Sequence, residues 1–272
     1  MALPRPSRVA VATSALFAVV ACGDLTRDDA TAPSTGSARV RVVHVSPDAP
    51  AVNVSRAGAT LAQGVAFAAP APQSGYVTTP AGQGVLEIAA ATGGAAVYRN
   101  NIPLARDSAY TVVALGNVAG GFAAGAARTF QPVVLRDTVA TPTAGGWLRL
   151  VHAVDSVGLN TATPPAVVSA VDFYVYPQGG QRPTAAPAAG TAIRVVNASF
   201  RAVTAYLPLA TAGTYVVEVY AAGAAPATAT PLVNTTVAIT NGLKATVVVR
   251  RPQVGATAAP LNAHGLVVLP ET

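Results

Sequence analysis

Three histidines, one cysteine, one methionine and one tryptophan are all that 272 residues contain of several side chains common in metal and redox chemistry. A lone cysteine has no partner for a disulfide within the chain. The histidines, His44, His152 and His264, stand far apart, and no C-x-x-C, H-x-H or H-E-x-x-H spacing occurs. No metal site and no cofactor are therefore expected. Charge is equally scarce: Asp, Glu, Lys and Arg make up 10% of the chain, against roughly 25% in an ordinary soluble domain. The basic residues are scattered, Arg250-Arg251 being the one adjacent pair beyond the N-terminal leader, so a nucleic-acid partner is not expected. A sustained 3.6-residue period with capping signals at both ends is also missing, which argues against a helical body.

What the chain does have is apolar residues, 51% of the total, and frequent turn formers, 24 Gly and 22 Pro. That content makes disorder of the bulk unlikely to be sustained against burial of a core. The first residues read as an export signal: Arg5 and Arg8 are followed by an apolar stretch, Val9 to Ala21, too short to cross a bilayer comfortably. It ends in Val19-Val20-Ala21-Cys22, which resembles the bacterial lipobox, so Cys22 is expected to carry lipid and to hold the protein at the membrane. Removing Arg5 and Arg8 with the leader lowers the formal charge from +6 to +4. The expected location is the bacterial cell envelope, at the outer membrane, on its periplasmic or surface side.

From Ala38 the hydrophobic period is two: Val40, Val42 and His44 fall on one side, Arg39, Arg41 and Val43 on the other. Short runs of this kind recur at 8 to 12 residue spacing, separated by turns such as Pro80-Ala81-Gly82, a pattern of β-sandwiches and barrels. The opening run returns about a hundred residues later. Arg41-Val42-Val43-His44 is echoed by Arg149-Leu150-Val151-His152, Tyr76 by Tyr206, Leu86-Glu87-Ile88 by Val217-Glu218-Val219, and Tyr110 to Val113 by Ala245 to Val248. The expected fold is all-β: two tandem immunoglobulin-like β-sandwich domains after a lipoprotein signal peptide. The segments are a signal peptide (1–21), a tether (22–37), domain 1 (38–137), a linker (138–146), domain 2 (147–251) and an extension (252–272). Leu266 to Leu269 in that extension reads as an added edge strand or as a segment packed on a neighbour.

The stretch His44-Val45-Ser46-Pro47-Asp48-Ala49-Pro50-Ala51-Val52-Asn53-Val54 resembles the hallmark of the DUF4397 family, bacterial extracellular domains of unassigned function. Tyr76, Pro80 to Gly82 and Tyr110 to Val113 fit the same pattern. The second copy keeps His152 and an acid, Asp172, where the first has Asn53, but it lacks the Ser-Pro-Asp-Ala-Pro turn. The resemblance implies secreted or surface placement and β-sandwich modules, and it implies no catalytic residue.

His44, Ser46 and Asp48 are the residue types of a nucleophilic triad, and a hydrolase is the least favoured reading. Pro47 forces a turn between them, no G-x-S-x-G elbow occurs, and Val154 replaces Ser46 in the second copy. A structural turn cluster of His44, Ser46, Asp48, His152 and Asp155 is expected instead, its short polar side chains bonding local backbone. The second copy also carries a longer Thr/Pro-rich loop, Gly158 to Val168. With Asn160, Thr161, Asp172 and Tyr174 it is the candidate binding region, since long loops on rigid scaffolds commonly bind. The favoured function is non-enzymatic, binding, adhesive or structural, with an envelope protein or polysaccharide as partner. The alternative is a glycan or small-ligand binding module built on that loop.

Overall fold

Alternation of side chains on a strand lets one face enter a core while the other stays free, and here the free faces of two sheets have found each other. The computed structural model describes residues 36–118, 129–137, 140–157, 166–167 and 170–271. The leader, Cys22, Asn160 and Thr161 lie outside them. The described residues fall within a single compact unit, Ser34–Thr272, and contain strands and turns but no helix.

The first half contributes β1 (Ser37–His44), β2 (Val52–Arg56), β3 (Ala59–Val65), β4 (Pro70–Ala71), β5 (Val77–Pro80), β6 (Val85–Ala90), β7 (Ala96–Asn101), β8 (Ala109–Ala114) and β9 (Val133–Arg136). The second contributes β10 (Gly146–Ala153), β11 (Ser156–Val157), β12 (Ala166–Val167), β13 (Ala170–Pro177), β14 (Ile193–Ser199), β15 (Leu207–Leu209), β16 (Gly213–Ala221), β17 (Val233–Ile239), β18 (Leu243–Arg250) and β19 (Gly265–Pro270). Four main sheets result, in the orders β3-β2-β6-β7, β4-β1-β8-β9 with β5 also on β1, β15-β10-β18-β19, and β14-β13-β16-β17. Strands β11 and β12 pair only with each other.

Each half is a sandwich with its own core. Val40, Val42, Val54, Leu86, Ile88 and Val112 fill the first. Leu148, Leu150, Phe173, Val217, Val219 and Val247 fill the second. The opposite faces of β1 and β10 meet: Val43, Val45, Val113 and Leu115 of the first half pack with Val151, Ala153, Val248 and Val267 of the second. The molecule is thus four sheets deep, and the inner two are covered on both faces. At the centre of each inner sheet lies a parallel pair, β1 with β8 and β10 with β18. Parallel pairs are found where both faces are covered, and β8 is buried at all six positions.

The extension after 251 is not an appendage. β19 pairs antiparallel with β18 as β9 does with β8, and completes the second inner sheet. Val267 and Leu269 on one of its faces enter the contact between the halves.

Candidate functional site

The turn that follows β1 is built by the imidazole of His44. Its Nδ1 accepts the backbone N–H of Ser46 at 3.4 Å, and His152 does the same for Val154 at 3.1 Å. Only a backbone N–H is needed two residues on, so valine serves as well as serine there. Ser46 donates its hydroxyl to the Gly116 carbonyl at 2.6 Å, and Asp48 accepts the N–H of Val118 at 2.9 Å. The Ser46 hydroxyl is therefore directed first at a carbonyl oxygen on the loop after β8, with the Asp48 carboxylate a longer second contact at 3.3 Å, and the His44 Nδ1 is directed at backbone. Asp155 is fully buried and binds the guanidinium of Arg251 at 2.9 Å. It also accepts the side-chain amide of Asn117, from the other half. Burial holds the His152 imidazole down to about 4, against the smaller opposing pull of Asp155. Nε2 then carries the proton in the neutral ring, and the ring stands edge-on to Phe173 and Phe200.

Between the inner sheets the two halves exchange polar contacts reciprocally. Arg41 of β1 donates Nε to Thr111 beside it on β8 at 2.8 Å, and Nη1 across the interface to the Pro270 carbonyl at 2.5 Å. Arg149 of β10 donates Nε to Thr246 on β18 at 3.1 Å, and Nη1 across the interface to the Arg136 carbonyl at 2.9 Å. The carboxylates Asp137 and Glu271 each follow the last strand of their sheet. Thr111 and Tyr76 donate to Asp137 at 2.5 and 3.1 Å. Thr246 and Tyr206 donate to Glu271 at 2.8 and 2.6 Å. Each tyrosine ring also lies under its own half's guanidinium, at 5.0 Å for Arg41 and 4.8 Å for Arg149.

The symmetry is broken in charge. Arg149 bonds the Asp137 carboxylate directly, whereas Arg41 approaches Glu271 only to 3.7 Å. Burial, with Asp137 close by, pushes the Glu271 carboxyl above its ordinary range in spite of its hydrogen bonds from Tyr206 and Thr246. Burial likewise raises the hydroxyls of Tyr76 and Tyr206. A cluster this buried and this fully bonded sets how the halves dock, because any other registry would strand its charges. Asp137 and Glu271 went unremarked in the sequence. The readable sign was Arg41 and Arg149, each three residues before its histidine.

Asp172 and Tyr174, two of the candidate binding residues, already have other occupations. Asp172 sits at a β-bulge, where the register of β13 against β14 shifts, and accepts the N–H of Asn197 at 2.7 Å. Asn53 does the same for Gly64 at 2.8 Å, at the matching shift between β2 and β3. Asn197 and Gly64 have φ of 56° and 58°, the left-handed turn of the bulge. An oxygen acceptor is all the position requires, which is why one half uses Asn and the other Asp. Among the described residues neither Arg149, which is committed to Asp137, nor Arg194, which lies opposite Tyr174, forms an ion pair with Asp172. The Tyr174 ring is buried against Tyr220 and beneath Arg182, which also pairs with Glu218 at 2.9 Å. Glu218 is therefore covered, unlike its counterpart Glu87, which reaches Arg99 at the surface. Asn160 and Thr161, the other two, are not among the described residues. No group of three or more His, Cys, Asp or Glu side chains able to hold a metal occurs among the described residues.

The fold and this docking define a protein of stacked β-sandwiches. Residues 38–160 match the family DUF4397, a domain of unknown function. The match takes in the first sandwich and continues through β10 to His152 and Asp155. Among curated proteins none matches the chain in sequence. Two solved structures resemble it faintly. One is the Bacillus anthracis TIE protein, at 12% identity and a TM-score of 0.21, with 86% of this chain and 43% of that one covered. The chain thus spans less than half the length of that protein. The other is a Bacteroides fragilis NCTC 9343 protein provisionally described as a cell adhesion protein, at 10% identity and a TM-score of 0.21, with 86% and 98% covered. Likenesses this slight do not bear on what the chain does.

Proposed function

We propose that this is a lipid-anchored protein of the bacterial cell envelope that works by binding, in adhesion or assembly, and not by turnover. The observation that carries the anchoring is the apolar leader ending in Val19-Val20-Ala21-Cys22, with Cys22 the sole cysteine of the chain. The non-catalytic reading is supported by the turn cluster, in which His44 Nδ1, the Ser46 hydroxyl and Asp48 each bond a backbone group and the Ser46 hydroxyl meets Asp48, not the imidazole, at 3.3 Å. We further infer that the second half is a diverged copy of the first. The pairs Arg41 and Arg149, His44 and His152, and Tyr76 and Tyr206, in the same order and doing the same work in each half, support it. An envelope protein or polysaccharide is the partner class.

Expression of the full chain in a bacterium that processes lipoproteins tests the anchor. Labelled fatty acid should enter the protein and the label should be lost with Cys22→Ala, which should also move the protein from the membrane to the soluble fraction. Unlabelled protein that retains its leader would overturn it. Binding to isolated cell envelopes, without turnover of ester or peptide substrates, tests the second part.

A further inference from the structure

A cleft of about 790 Å³ runs along the free edge of β19, from Phe67 and Arg250 on the side of the interface to Thr235 and Val237 of β17 on the side of the core. Its size is within the roughly 300–1,000 Å³ of small-molecule sites. Residues 259–264 form its far wall. Thr235 shares the inward face of β17 with Val233 and Val237, yet it is exposed, because the sandwich stands open at this flank.

Arg250 is the charge in this cleft, and it is 3% exposed. Its Nη1 donates to the carbonyls of Arg251 and Ala263, and its Nη2 to that of Pro260. Nε is buried and has no acceptor. Among the described residues Arg250 forms no ion pair, and no Asp or Glu lines the cleft. Burial alone acts on its guanidinium, lowering its affinity for the proton with no carboxylate to oppose it. Arg149 and Arg251 are matched by Asp137 and Asp155, whereas Arg56, like Arg250, is capped by backbone carbonyls; Arg250 differs from Arg56 in opening on a cleft of about 790 Å³ where Arg56 borders about 10 Å³. In the first half the equivalent position is Leu115, an ordinary member of the interface. Gly265, opposite Arg250 in register, lets the guanidinium lie against the backbone of β19: a Cβ there would lie 2.9 Å from Nη2 and 3.5 Å from Nε. Leu266, Val268 and Val237 supply an apolar wall, and Asn234, Thr235 and Thr236 a neutral polar rim.

We propose that this cleft binds an amphiphilic carboxylate, its acid group at Arg250 and its apolar body along β17 and β19. The missing counter-charge, the open flank and the uncharged rim each fit one acid on an apolar body better than a polyanion or a cation. The site stands apart from the anchoring at Cys22 and does not depend on it.

Calorimetric titration of the full chain with three ligands of one body and different heads tests this: dodecanoate, dodecanol and dodecyltrimethylammonium, each below its micelle concentration. Dodecanoate should bind one to one, at least tenfold tighter than dodecanol, with no binding of the cation. An ionic hydrogen bond of about 1.5–3 kcal/mol corresponds to roughly ten- to a hundredfold. Arg250→Met should abolish the preference for the acid. Because Arg250 also holds the 251–264 segment, Thr235→Glu, at the exposed rim, serves as the second variant: it should weaken dodecanoate at least fivefold and leave the melting temperature and dodecanol unchanged. Equal binding of all three ligands, no binding of dodecanoate, or an unaltered preference in both variants would overturn the proposal.

Discussion

The two halves dock through the same donors but through different acids. In the first, Asp137 takes Tyr76, Thr111 and, from the other half, Arg149. In the second, the longer Glu271 takes Tyr206 and Thr246 and meets Arg149, Arg41 and Lys244 only at 3.4, 3.7 and 3.8 Å. The shortest charge contact therefore lies on one side of an arrangement that is otherwise reciprocal. Two halves placed face to face need not be balanced: Asp137 holds one guanidinium in direct contact, while Glu271 shares three cations at longer range.

The sharpest way to break that comparison is to delete each acid in turn. Asp137→Ala should destabilise the protein by about 3–5 kcal/mol, the cost of leaving a buried cation without its partner. Glu271→Gln keeps the hydrogen-bonding atoms and should cost about 1 kcal/mol. Urea denaturation followed by tryptophan fluorescence measures both, since Trp147 lies on β10. Equal losses would mean that the charge asymmetry is not energetically real.

The histidines sharpen the comparison through pH. The folded-state value of His152 is depressed to about 4 from an ordinary 6.5. Between those values the unfolded chain binds the proton and the folded one does not, so stability is full above pH 6.5 and falls as pH drops toward 4. The loss should be about 3 kcal/mol at the lower end. His152→Phe should flatten this part of a stability profile measured between pH 7 and pH 4. Burial moves His44 in the same direction, so its substitution should remove a further share.

The bulges give the smaller effects. Asp172→Ala, which strands the N–H of Asn197, should cost about 1–3 kcal/mol, and so should Asn53→Ala in the other half. Asp172→Asn should change stability by less than about 0.5 kcal/mol, because Asn53 shows that an amide oxygen suffices. Asn197→Gly should be near neutral, since Gly64 holds the same left-handed turn. A loss as large as that of Asp172→Ala in either of these two would mean that the halves use the position differently.

The sandwich strands were readable because burial alternates with period two. Val40 and Val42 do face one core, while Arg41 and Val43 face away from it. The turn histidines were readable too, since their partners lie two residues away. The unread part has one cause: the partners are remote in sequence. Arg41 meets Pro270 across 229 positions, and no local pattern foretells that contact. The place of Asp172 at a bulge was not legible either, because a bulge depends on the register of two strands, which one strand's sequence does not reveal. The outward faces of β1 and β10 gave the clearest missed hint: Val43, Val45, Val151 and Ala153 are apolar where a solvated face would be polar.

By itself, then, the chain's order of residues determined the strands, the turns after His44 and His152 and the repetition of one pattern, because those depend on neighbours a few positions apart. Only the tertiary structure decided that the halves stack face to face, that β19 belongs to the second inner sheet, that Asp137 matches Arg149 and that Arg250, among the described residues, forms no ion pair. Those outcomes depend on how two apolar sheet faces exclude water from each other, and on which distant charges that contact then encloses.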